Sequence, residues 1–270
     1  MRWLAVILLL AAPISALAKP HAVSLDYCAD QYLLKLADPA QIAAVSRGAD
    51  KDYSYLRNAA ATHKKIRPSL EEVAPLEPDL ILRQWGGGSA AERTFSRFGA
   101  TVVTLGYPED FDGVKENIRL AANALDQPER GAALIAEMER RLSALNEPAH
   151  KKRINALYVT PGGVTAGAHT MIDAMMDAAG VVNLTAQAGQ SYWPALPAEA
   201  VLMAPPELIV AGFFDSVDED VNYWSASRHP ALRKLFQRTP TVSLGPDVVS
   251  CAAWFSVDGA EAIAEAAGTP

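Results

Sequence analysis

Residues 83–94 read RQWGGGSAAERT and follow DLIL, a short apolar run with the pattern of a buried strand. A strand that ends in Trp85 and runs at once into Gly86, Gly87 and Gly88 raises two chemistries. Glycines let a backbone come close to another group, and an indole offers a large flat apolar face. A glycine run that opens a helix also raises a phosphate cradle. That reading is poor here, because the stretch lacks the Gly-Lys-Ser/Thr ending of a P-loop and the spacing of a dinucleotide fingerprint. Trp85 is then either a core residue of a tight strand-to-helix turn or one wall of a ligand site.

Further aromatic and polar side chains fall where loops are expected. Tyr27 and Cys28 follow the apolar run HAVSL, and Tyr53 and Tyr55 lie in DYSYL. Tyr192 and Trp193 lie in GQSYWP, and His169 lies in the glycine-rich stretch TPGGVTAGAHTM. Each one alone reads as core or as plain surface. Their concentration at loop tips favours a site for a large, flat, apolar ligand, and His169 is placed where an imidazole could reach a metal centre. Cys251 precedes the last helical stretch and would face the same mouth. Cys28 and Cys251 are open to bridging, to remaining free thiols, or to holding a metal or ligand.

Catalytic motifs are missing. There is no G-x-S-x-G elbow, no HExxH and no Cys-x-x-Cys. His21, His63, His150, His169 and His229 are scattered, which argues against a bare metal-ion site. A hydrolase would need Ser89 or Cys28 beside His169, and no spacing favours it.

These residues must be positioned by an alternation of strands and helices. Strands are expected at 21–25, 41–45, 79–82 and 101–105, with helices at 29–37, 69–76, 89–99 and 111–125. A second series follows: strands at 154–160, 207–214 and 241–244, and helices at 170–180, 197–204, 229–236 and 256–267. Such alternation implies an α/β fold with mainly parallel sheets. Between the series, 128–148 reads as one long helix with Pro128 at its start and Pro148 at its stop. Leu134, Met138, Leu142 and Leu145 share one face of it. EEVAPLEPDLIL (71–82) and EAVLMAPPELIV (199–210) align without gaps, one on each side of the long helix, and the alignment sets Trp85 against Phe213. Two related lobes, 19–126 and 149–270, joined by a rigid helix at 127–148, are the simplest architecture. Ligands of open α/β sheets sit at the carboxyl ends of the strands, which is where both aromatics fall.

Residues 1–18, MRWLAVILLLAAPISALA, have a basic start at Arg2, a short apolar core and a closing Ala16-Leu17-Ala18. This reads as a secretory signal peptide cut after Ala18. Of the 270 residues, 24 are basic and 31 acidic, a net charge of -7, which becomes -8 once Arg2 is removed. Nucleic acid and anionic membrane surfaces are poor partners for such a chain.

The stretches SLD (24–26), VAPLEPDLIL (73–82), the helix from Pro128, AAGVVN (178–183) and LMAPPELIV (202–210) carry a resemblance over nearly the whole mature region. It resembles the periplasmic substrate-binding proteins of ABC importers for cobalamin, ferric siderophores and haem. The resemblance implies a monomeric, non-catalytic periplasmic carrier without a cofactor, which passes a bulky metal complex to a permease in the inner membrane. WGGGSAAERTF (85–95) is similar to the stretch of the cobalamin-binding member in which a Trp contacts the corrinoid, so Trp85 is the first expected ligand residue and cobalamin the favoured cargo. By the same match, Glu92 and Glu199 fall on the positions that dock the permease, one per lobe. Cys28, Cys251 and the GAHTM loop depart from that member, and a haem or ferric chelate with His169 or a Tyr as axial ligand is the alternative.

Overall fold

The computed structural model describes residues 19–145, 153–213 and 230–268. The expected leader (1–18), His150, the end of the long helix as far as Pro148, Phe214 and His229 lie outside the described residues. The strands are β1 (Ala22–Ser24), β2 (Ile42–Ser46), β3 (Lys65–Ile66), β4 (Leu80–Arg83), β5 (Thr101–Thr104), β6 (Asn155–Val159), β7 (Val182–Asn183), β8 (Leu208–Gly212) and β9 (Thr241–Leu244). The first-half helices are α1 (Tyr27–Leu36), α2 (Arg57–Ala60), α3 (Leu70–Val73), α4 (Ala91–Ser96) and α5 (Phe111–Ala124), and α6 (Pro128–Leu145) follows them. The second half adds α7 (Met171–Ala178), α8 (Leu184–Gln187), α9 (Ala198–Met203), α10 (Pro230–Phe236), α11 (Pro246–Val249) and α12 (Ser256–Ala266).

The strands make two sheets, ordered β3-β2-β1-β4-β5 and β7-β6-β8-β9, and every pairing is parallel. The internal echo has a topological meaning. β4 lies between β1 and β5, and β8 lies between β6 and β9, so the repeated segment supplies the same interior strand of each sheet. Both read as unbroken apolar runs because both faces of a parallel sheet are covered; all five residues of β8 are buried.

Helix α6 is about 27 Å long at 1.5 Å per residue and packs on α5 and on α12. It buries Leu134, Ile135 and Met138 and rests Leu142 and Leu145 on the main core cluster. That cluster takes Leu33, Leu82 and Ile118 from the first half and Met176, Val210 and Phe255 from the second. Polar contacts cross between the halves as well. Tyr55 stacks on Phe255 with centroids 4.2 Å apart and donates its phenol proton to Asp258 at 2.6 Å. Arg57 pairs with Asp247 at 2.8 Å, and Arg141 of α6 reaches Asp258 at 2.7 Å and also holds Glu261.

Two expectations need correction. The helix expected at 89–99 spans only Ala91–Ser96, because Gly87 and Gly88 take φ of 79° and 67° and delay its start, and Gly99 at φ 85° ends the segment. The short elements β3, β7, α2, α8 and α11 were not anticipated, since two to four residues carry no periodicity.

Candidate functional site

The glycine run after β4 is explained by its neighbours. Asp26, buried at the end of β1, caps α1 by accepting the Ala29 amide at 2.9 Å. Its other carboxylate oxygen accepts three successive amides, from Gln84 (2.7 Å), Trp85 (3.1 Å) and Gly86 (2.9 Å). The turn is drawn so close to β1 that a Cβ on Gly86 would overlap the Leu25 carbonyl oxygen. Glycine is required here by backbone approach, not by a phosphate. The outcome is that Trp85 leaves the strand end 37% exposed. Tyr27 stands edge-on to it, centroids 4.9 Å apart, and Tyr53 packs behind Tyr27 at 4.7 Å. Burial, then the neighbouring Tyr53 and Asp26, push the Tyr27 phenol above its ordinary pKa.

The opposite wall is built from two loops held together by backbone hydrogen bonds. Gly167 N–H donates to the Tyr192 carbonyl at 2.8 Å, Tyr192 N–H to Ala168 at 2.8 Å, and Ala168 N–H to Gln190 at 3.0 Å. His169 and Tyr192 both adopt left-handed backbone, φ 62° and 59°, a conformation that costs non-glycine residues of order 1–2 kcal/mol. The strained pair presents its rings in a stack, centroids 5.7 Å apart. Tyr192 and Trp193 are 55% and 54% exposed. His169 Nδ1 reaches across to Glu109 Oε2 at 3.1 Å.

Between the walls lies a cavity of about 550 Å³ at the carboxyl ends of both sheets. Tyr27, Trp85, His169, Tyr192 and Trp193 all line it. Cys28 and Cys251 line it too and are joined in a disulfide, Cα atoms 5.5 Å apart. Cys28 therefore offers no thiol nucleophile, which removes that arm of the hydrolase reading. Tyr53 supports the wall from behind. Tyr55 stands apart from the cavity against Phe255, and Phe213, which follows β8, takes φ 63° without lining it. Glu92 and Glu199 are exposed in the first turns of α4 and α9, away from the cavity.

Several cavity residues were missed in sequence. Gln84, Tyr107, Glu109, Thr170, Met171 and Met175 also line the cavity. Tyr107 and Glu109 lie in coil between β5 and α5, where no period marks them. Asp26 had a legible signal, an acid directly before a helix start, but its second role needed the fold. Among the described residues, no group of three or more His, Cys, Asp or Glu is placed to hold a metal ion.

A cleft with aromatic walls between two parallel sheets is built to bind. Residues 23–232 match the periplasmic binding protein family, and the chain belongs to that family, whose members are binding proteins rather than enzymes and carry ligands rather than cofactors. It is 27% identical over 197 residues to a cobalamin-binding protein of Halobacterium salinarum, covering 71% of this chain and 53% of that one. The chain thus spans about half the length of the curated relatives it matches. The periplasmic haem-binding protein RhuT of Roseiflexus sp. RS-1 superposes with a TM-score of 0.69 at 23% identity, covering 93% of this chain and all (100%) of that one. The periplasmic vitamin B12 binding protein BtuF of Vibrio cholerae gives 0.67 at 18% identity, covering 92% and 96%. These two likenesses speak for the fold.

Proposed function

We propose that the chain is the periplasmic substrate-binding component of an ABC importer that captures a bulky metal complex, a corrinoid such as cobalamin by preference, and delivers it to an inner-membrane permease. The carrying observation is the convergence of Trp85, Tyr27, Tyr192, Trp193 and His169 on one cavity of about 550 Å³, within the size range of small-molecule sites. Exposed aromatic faces on both walls suit a broad, flat ligand. The 27% identity to a cobalamin-binding protein supports the corrinoid. In this reading residues 1–18 are removed on export, 19–126 and 149–270 form the lobes of a monomer, and 127–148 joins them. Glu92 and Glu199, one carboxylate on each half, meet cationic side chains of the permease.

A ferric siderophore or haem is the second reading, favoured by His169. With Nδ1 against Glu109, its other ring nitrogen is oriented as metal-ligating imidazoles are by an outer carboxylate. The absorption spectrum of the protein after incubation with each complex and gel filtration tests both readings. Co-eluting corrinoid bands are expected, a co-eluting Soret band would favour haem, and no retained chromophore with any complex would refute the carrier.

A further inference from the structure

The charge pattern of the cleft narrows its cargo, an inference that rests on the carrier reading. Among the described residues that line the cavity there is one carboxylate, Glu109, and neither Lys nor Arg. His169, the one imidazole there, is already engaged by Glu109. An adjoining hollow of about 710 Å³ shares Glu109 and His169 and adds Asp110, Asp112, Asp173 and Asp177. Two described cations near it are paired: Arg153 with Asp177 at 2.6 Å and Lys115 with Asp112 at 2.6 Å. Asp110 caps α5 through the Gly113 amide and Asp173 accepts the Asn183 amide, both neutral donors. The described residues of that hollow therefore leave it with excess negative charge, on a chain whose net charge is -7.

An anion that entered this cavity would lose hydration and gain no Lys or Arg partner from the described residues that line it. It would also meet the field of the adjoining acidic hollow, which a concave low-dielectric wall concentrates. We propose that the cleft sorts metal complexes by charge: neutral and cationic complexes bind, complexes bearing free carboxylates or catecholates are disfavoured, and Glu109 is the specificity-determining residue. Corrinoids with amide rims and ferric hydroxamates satisfy this rule, whereas haem, with its two propionates, and ferric catecholates do not.

Ferric siderophores of graded charge isolate this effect. Affinities of the full-length mature protein are measured by calorimetry for cationic ferrioxamine B, neutral ferrichrome, trianionic ferric enterobactin, haemin and cyanocobalamin, at low and high salt. The anionic probes are expected to bind roughly tenfold or more weakly than the best neutral or cationic probe at low salt, the size of effect that one or two charges within several ångströms exert at a partly exposed site. The gap should narrow in high salt and in Glu109→Gln, and narrow further in Glu109→Lys. Anionic probes binding as tightly as neutral ones, or a gap that neither salt nor the Glu109 variants change, would overturn charge selection while leaving the carrier standing. Failure of all five probes to bind would overturn the carrier reading, and charge selection with it.

Discussion

Asp30 is a carboxyl group placed in the core rather than at the surface. It is fully buried in α1 and accepts hydrogen bonds from the Ser24 hydroxyl, the Ser46 amide at 2.9 Å and the Ser46 hydroxyl at 2.6 Å. Desolvation outweighs these donors and raises its pKa from 3.8 to about 7. The folded protein thus keeps this proton up to about pH 7, while the unfolded chain releases it near 3.8. Between those values the folded state binds more protons, so the group's contribution is full below about pH 4 and is lost as pH rises through about 7. The melting temperature of the wild type, taken relative to Asp30→Asn, is expected to fall from pH 5 to pH 8. Parallel melting curves for the two proteins over that range would show that Asp30 is ionised throughout.

At the scale of elements, the bridge between Cys28 and Cys251 ties the start of α1 to the loop after α11 at the floor of the cleft. It closes a sequence separation of 223 residues, and long loops gain most from closure; its loss should cost about 2–5 kcal/mol. Thermal melts with and without reductant, with thiol counting to confirm reduction, should differ by several degrees, and identical melts would contradict a structural role. The elements themselves were largely legible in sequence. Unbroken apolar runs marked β4 and β8, and the echo paired them as counterparts on either side of the long helix; their interior place in each sheet needed the structure. The site was legible in part. Tyr27, His169, Tyr192 and Trp193 were marked by aromatic or imidazole groups at loop tips, and Trp85 by the glycine run after a strand; the loop-tip rule also flagged Tyr55, and the echo flagged Phe213, both of which lie off the cavity. Residue type cannot tell a loop tip facing the cleft from one facing α12. Glu109 was invisible because its role comes from a contact across the halves with His169, 60 residues away in sequence.

For the whole molecule, the shared core and the contacts of Tyr55, Arg57 and Arg141 across the halves imply that ligand capture proceeds with little change of overall shape. Under the proposed docking assignment, transport depends on the two exposed carboxylates, Glu92 and Glu199. Glu92→Arg and Glu199→Arg are each expected to lower uptake by cells at least tenfold, with affinity for cargo unchanged, since both lie away from the cavity; normal uptake by the double variant would refute the docking assignment. Binding in the aromatic cleft is the central expectation. A calorimetric titration of wild type and Trp85→Ala with cyanocobalamin tests it. The expected result is one saturable site in the wild type and an affinity at least tenfold lower in the variant, about 1.4 kcal/mol or more, with an unchanged melting temperature. Equal affinity in both proteins, or no heat of binding in the wild type, would contradict it.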